Sequence, residues 1–223
     1  MRFTDEHAAF RSSVRSFVSS EIDPHADAWE EAGVFPAHDL FPKAAALGLL
    51  GLEYDPQDGG EGADHSFQMI AAEELGRSAS AGVAMAIGVQ SMMATPSLAR
   101  YGSAELRRDY LAPAIAGTAV ASIAVTEPDT GSDVARLRTR ARRDGDDWVI
   151  TGRKFYITNG TQADWICLLA RTSDEGGYRG MSQIVVPTDS PGFSVARSLR
   201  KLGNHSSDTA ELVLDDVRVP VSS

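Results

Sequence analysis

Residues 123–132 read IAVTEPDTGS. The run AVASIAV, 119–125, is apolar and of β type, and at 126 it breaks into the Thr, Pro, Asp, Gly and Ser that dominate turns. The stretch is therefore the end of a strand and the loop that leaves it. Gly131 permits close approach by another molecule, and the hydroxyls and successive N–H groups of such a loop are suited to hold one. Taken alone, this is also what an ordinary strand-end turn looks like, so its meaning depends on the sequence to either side.

Upstream the pattern is helical. Phe10, Val14, Phe17, Val18 and Ile22 recur at helical spacing and make one apolar stripe with charges opposite. Pro36 opens a second helical stretch through Leu40, Ala44 and Leu47, which Gly48 stops, and DPQDGGEGAD, 55–64, follows as a loop. Further helices are expected over 66–75, 78–99 and, shorter, 104–111. The 78–99 run is uncharged over the roughly 20 residues that a membrane span requires. Its Ala, Ser and Gly, with Gln90 and Pro96 inside, instead describe a buried helix of a soluble domain, so no membrane span is expected.

Downstream the texture becomes short β-type runs, DWVITG, WICLLA, SQIVV and AELVLDDV, separated by Gly, Pro, Asp and Asn. The fold class is thus α+β and multidomain: an all-α helical domain over 1–117, then an all-β domain over 118–223. In RLRTRARR, 136–143, a strand would put Arg136, Arg138, Arg140 and Arg142 on one face, which reads as a solvated outer face, the alternative being contact with an anionic ligand such as a nucleotide phosphate.

With 223 residues, 43% of them hydrophobic, the chain has enough apolar material for one large or two small domains. A net charge of -10 argues against a nucleic-acid partner, which needs clustered cations. Cys167 is the single cysteine, so the chain holds no internal disulfide, as fits a cytoplasmic protein. Asp5, Glu6, Arg11, Arg15 and Glu21 interrupt the first 22 residues, which do not read as a signal peptide. Gly59, Gly60 and Gly62 lie between two helices rather than after a strand, and so make no dinucleotide fingerprint. His205, its neighbouring serines and Asp208 lack the nucleophile elbow of a hydrolase, and metal-ligand spacing is missing.

Four ordered motifs decide among the remaining readings: TEPDTGSD at 126–133, GRKFYITNG at 152–160, GNHSSDTAEL at 203–212 and VRVP at 217–220. Together with YDPQDGG at 54–60 and EELG at 73–76, they resemble the acyl-CoA dehydrogenase family, which implies a barrel-like form for the all-β domain. That resemblance implies FAD as cofactor, lined by Ile123, Ala124, Val125, Thr126, Gly131 and Ser132. Thr126 would lie near the pyrimidine edge of the flavin, and Ser132 would be shared with the CoA thioester substrate. It also implies a second flavin segment of Tyr156, Ile157 and Thr158, with the Thr158 hydroxyl directed to the flavin N5. Many relatives carry Trp where this chain has Tyr156, and either ring can stack on the flavin. Asn159-Gly160 reads in addition as the turn of a hairpin.

The family reaction removes an α-proton from an acyl-CoA and passes the β-hydrogen to the flavin as hydride, giving a 2,3-enoyl-CoA. In most branches the base is a glutamate of a third, C-terminal helical domain, which this chain lacks on the same resemblance. No catalytic residue is assigned within the chain, and Glu127 is expected to be structural. The resemblance further implies acyl-CoA as substrate, electron-transfer flavoprotein or a similar acceptor, and a homo- or hetero-oligomer formed through the missing domain. A fragment of a complete dehydrogenase, a subunit of a split enzyme, a non-catalytic binding subunit, and a flavin oxidase or monooxygenase of the same fold all stay open.

Overall fold

The computed structural model describes residues 3–223. It divides into two compact units: the residues up to Val120 together with Lys201–Asp208, and Ala121–Arg200 together with Thr209–Ser223.

The first unit is helical. Its elements are α1 (Asp5–Phe17), α2 (Ala26–Ala32), α3 (Ala37–Ala45), α4 (His65–Leu75), α5 (Ala81–Gly88), α6 (Pro96–Tyr101), α7 (Ala104–Leu106) and α8 (Ala112–Ile115). Thr4 and His7 cap α1 reciprocally, and a π-helical turn, Val18–Ile22, prolongs it. The apolar stripe is buried as its spacing requires: Val14, Phe17, Val18 and Ile22 enter a core with Phe35 and Phe41, and Phe10 packs at its margin. Beside that stripe, Arg11 and Arg15 clasp the buried Glu74 of α4 at 2.6 and 2.9 Å.

Three helical expectations needed revision. The stretch ADAWEEA forms α2, a helix missed in the sequence because seven residues are too few to show a helical period. Helix α3 starts after Pro36, carries Pro42 inside it and ends by Ala45, before the glycine. The 78–99 run is α5, a π-helical turn over Val89–Ala94 and α6 rather than one rod, and Met85, Met92 and Met93 face outward while Val83, Ala86 and Ile87 are buried. The buried Gln90 donates its side-chain amide to the carbonyls of Ala114 and Ala119, which satisfies a polar group inside this apolar stretch. No helix of the described residues is long and apolar enough to cross a membrane.

The segment Lys201–Asp208 belongs to this helical unit because Glu30 holds it. The Glu30 carboxylate accepts the N–H groups of His205 and Ser206 at 2.8 and 3.1 Å and the Ser206 hydroxyl at 2.6 Å. The Ser206 and Ser80 hydroxyls meet at 2.8 Å.

The second unit is one sheet of β1 (Ala121–Ala124), β2 (Arg140–Asp144), β3 (Asp147–Thr158), β4 (Trp165–Arg171), β5 (Met181–Pro187), β6 (Phe193–Ser198) and β7 (Thr209–Pro220). The hydrogen-bonded order is β1-β4-β2-β3-β7-β6, with β5 on the other edge of β4. Ala124, Ile150, Ile166, Ile184, Leu212 and Val217, drawn from β1, β3, β4, β5 and β7, fill one core. Residues from β1 at one end of the sheet and from β7 next to the other end share a core only when the sheet curls over it, which is the barrel-like form the family resemblance implied. The arginine run is a strand only from Arg140, since Arg136 lies in a short 3-10 turn, yet Arg136, Arg138, Arg140 and Arg142 are all exposed while Leu137, Thr139 and Ala141 are buried.

Candidate cofactor site on the sheet

The stretch 123–132 begins on β1, which runs parallel to β4 with Ile123 beside Cys167 and Ala124 beside Leu168. The chain then folds on itself: Glu127 and Thr130 exchange backbone hydrogen bonds of 2.8 and 3.1 Å. Both oxygens of the Glu127 carboxylate are occupied. Oε2 accepts the Arg138 N–H at 2.7 Å, and Oε1 accepts the Thr139 N–H at 2.8 Å and the Lys154 ammonium at 3.1 Å. Lys154 is itself fully buried and also donates to the carbonyls of Val125 and Leu169, at 2.9 and 2.8 Å.

Burial pushes the Lys154 ammonium down to about 8, against the opposing pull of the Glu127 charge, so it is still protonated at neutral pH. Burial raises the Glu127 carboxyl, but the hydrogen bonds from Thr139 and Arg138 and the Lys154 charge outweigh that, and it lies below its ordinary value. A buried carboxylate held by three donors and lowered below its ordinary value fits the structural role expected of Glu127, since a general base works best when it titrates near neutrality.

The second segment owes its form to a bulge. Across β3 and β7, Lys154 faces Leu212 and Ile157 faces Ala210, so Phe155 and Tyr156 stand opposite Glu211 alone. Tyr156 takes up the surplus with φ +60°, a left-handed conformation that is costly for a bulky side chain, and the residue is 65% exposed. Three hydrogen bonds bring the two segments side by side. The Phe155 N–H donates to the Thr126 carbonyl at 2.8 Å, the Ser122 hydroxyl to the Thr158 carbonyl at 2.5 Å and the Asn159 amide to the Ala121 carbonyl at 3.3 Å.

Thr126 and Thr158 are half-buried beside the exposed Tyr156, and Ile123 and Val125 are half-buried as well. Ala124 and Ile157 point into the sheet core and offer only main chain. Gly131 and Ser132 are exposed past the Glu127–Thr130 turn, and a side chain at Gly131 would meet nothing within 4 Å. Among the described residues, no hydrogen bond ties Ser132 to the second segment. Asn159-Gly160 makes a turn, with Asn159 at φ +62°, but not the expected hairpin: at this end β3 pairs with β7 rather than with the strand that follows. Gly160 is there because a Cβ would press against Ala210 and the Ile157 carbonyl.

Sequence reasoning passed over Lys154 and Glu211, although both lie inside quoted motifs. A lysine or glutamate in a β pattern reads as solvated, and only the bulge and the curled core bury them. It also passed over a groove of about 740 Å³ on the helical unit, lined by Phe17, Ser20, Lys43 and Leu47 among others. No group of His, Cys, Asp and Glu among the described residues is arranged to hold a metal ion.

The sequence matches two family models, acyl-CoA dehydrogenase N-terminal domain over residues 4–118 and acyl-CoA dehydrogenase middle domain over residues 122–217. It is 38% identical to the mitochondrial long-chain specific acyl-CoA dehydrogenase of Sus scrofa, over 99% of this chain and 51% of that protein. The fold superimposes on acyl-CoA dehydrogenase of Geobacillus kaustophilus with a TM-score of 0.92 at 36% identity, covering 99% of this chain and 58% of that one. It superimposes on a glutaryl-CoA dehydrogenase of Mycobacterium smegmatis in complex with FADH2 with a TM-score of 0.91 at 37% identity, covering 99% and 55%. The chain spans about half the length of the curated relatives it matches. Both family models, set end to end over the helical unit and the curled sheet, lead to one statement: this chain belongs to the acyl-CoA dehydrogenase family.

Proposed function

We propose that these residues form the FAD-binding part of an acyl-CoA dehydrogenase, an oxidoreductase that converts an acyl-CoA thioester to its 2,3-enoyl-CoA. The observation that carries this reading is the juncture of residues 122–126 with 155–158, joined by the Phe155 and Ser122 hydrogen bonds, with Tyr156 exposed in a left-handed conformation. The donor set fits a flavin. An exposed aromatic ring flanked by two threonines matches a flat, amphipathic ring system with polar edges. Strain at Tyr156 without any packing gain inside the sheet is the kind that functional sites keep.

On this reading Thr126 and Thr158 hold the polar edges of the flavin with their hydroxyls, and Tyr156 covers part of a ring face. Bound FAD supplies the electron sink that accepts the β-hydrogen as hydride. The Lys154–Glu127 pair keeps the 123–132 loop in position, since pre-set geometry is worth more than flexible contacts in a two-centre reaction. Ser132 contacts the thioester end of the CoA substrate. The base lies outside the residues assigned, because Glu127 is consumed by its own hydrogen bonds. An electron-transfer flavoprotein or comparable acceptor reoxidises the flavin, and the active assembly is an oligomer.

Titration of the chain with FAD, followed by flavin fluorescence, tests this. Saturable quenching that Thr158→Ala and Tyr156→Ala both weaken, with a further spectral change on adding a saturated acyl-CoA but not the free acid, is the expected result. FAD binding untouched by either substitution would remove the site from these residues.

A further inference from the structure

Glu211 stands where two irregularities of the sheet meet. On one side β3 places Phe155 and Tyr156 against it; on the other, Val195 of β6 pairs with Leu212 and Arg197 with Glu211, so Ala196 is an extra residue. Strand β7, which lies between β3 and β6, thus carries one residue between a bulge on each neighbour. Its carboxylate is buried and receives two cations, Arg197 Nε at 2.8 Å and an Arg153 terminal nitrogen at 3.4 Å, from two side chains that are themselves largely exposed. The Arg197 guanidinium lies over the Phe155 ring, 5.7 Å from its centroid, and Phe155 meets Tyr156 edge-on with centroids 4.3 Å apart. Carboxylate, guanidinium, phenyl ring and phenol ring therefore form one unbroken series, ending at the exposed side chain of the candidate cofactor site.

We propose that Glu211 is a positioning residue for Tyr156, acting through Arg197 and Phe155. A bulge alone sets the Tyr156 backbone but leaves its χ angles free, and an exposed ring has few neighbours to restrain it. The Phe155 ring is the neighbour that does so; Arg197, lying over the Phe155 ring, fixes that ring, and the buried Glu211 carboxylate fixes Arg197. Charge-assisted hydrogen bonds have narrow geometry, so the ring inherits the orientation of the carboxylate. The inference rests on the flavin reading for its purpose but not for its geometry.

Two measurements on the whole chain separate these. In the first, the tyrosine rings are labelled and followed by NMR without FAD, with the Tyr156 signal identified by its loss in Tyr156→Phe. Glu211→Gln and Arg197→Met should each move the Tyr156 ring signal toward its free-peptide position while the signals of Tyr54, Tyr101, Tyr110 and Tyr178 stay in place. Arg197 is exposed enough that Arg197→Met retains the fold even if Glu211→Gln does not. An unmoved Tyr156 signal in a folded Arg197→Met protein overturns the proposal whatever the cofactor. In the second, FAD affinity is compared across Arg197→Met, Tyr156→Ala and the double variant. Arg197→Met alone should weaken binding roughly two- to fivefold, the scale of a cation–ring contact, and should have no further effect once Tyr156 is alanine. Equal losses in both backgrounds overturn the relay through Tyr156. A chain that takes up no FAD at all removes the flavin reading, and the ring signal then decides the positioning claim alone.

Discussion

Lys154 and Glu127, 27 positions apart, meet at 3.1 Å with the lysine fully buried, and the pair ties the loop after β1 to the middle of β3. Removing the cation alone should be severe, because it strands a buried carboxylate with only its two backbone donors. Lys154→Met is expected to cost about 3–5 kcal/mol, the usual loss when one partner of a buried ion pair is deleted. Urea denaturation of Lys154→Met, Glu127→Gln and the double variant checks this: the double variant should be more stable than Lys154→Met, and strictly additive losses would mean the two residues act separately.

Acid should loosen the helical unit at Glu74. Hydrogen bonds from Arg15, joined by those from Arg11, bring its carboxyl down to about 2 from the ordinary 4.5 despite the opposing effect of burial. The folded value lies below the unfolded one, so the stabilisation is fully present above about pH 4.5 and is lost as pH falls toward about 2. The stability gap between the native chain and Glu74→Gln should therefore be largest at neutral pH and shrink between pH 4.5 and pH 2. A gap that is flat over that window would show that the arginines do not stabilise the ionised form.

Tyr156 should be a position where stability and binding oppose each other. At φ +60° only glycine escapes the clash of Cβ with the backbone. Tyr156→Gly is expected to be more stable than Tyr156→Ala by on the order of 1 kcal/mol, and both should bind FAD more weakly than the native chain. Equal stabilities for the two variants would mean the left-handed conformation is not held in solution.

Gly82 should tolerate no side chain. A Cβ there would overlap the Ser206 hydroxyl and the Ser207 nitrogen, so Gly82→Ala must push the Lys201–Asp208 segment away from Ser80 and Glu30. The expected loss is about 1–3 kcal/mol, as for overpacking elsewhere, together with faster proteolysis within residues 201–208. Unchanged proteolysis would indicate that the segment is not anchored there.

The sequence alone determined the order of the two units, the stripe of Val14, Phe17, Val18 and Ile22, the strand-end loop at 126–131 and the motifs that carry the family resemblance. These are local or periodic features, set by side-chain spacing and turn chemistry within a few residues. Tertiary structure decided the rest. Lys154 and Glu211 are polar residues in β-type runs, and whether they meet solvent depends on which strand lies beside them and on bulges that no single strand encodes. The segment Lys201–Asp208 lies within the β-type half of the chain, yet Glu30, far away in sequence, draws it into the helical unit. Likewise Asn159-Gly160 carries the signature of a hairpin but feeds a different pairing, because the register of β3 is set by β7. Interactions between residues distant along the chain cannot be read from local pattern, and the exposed, strained Tyr156 is a product of such interactions.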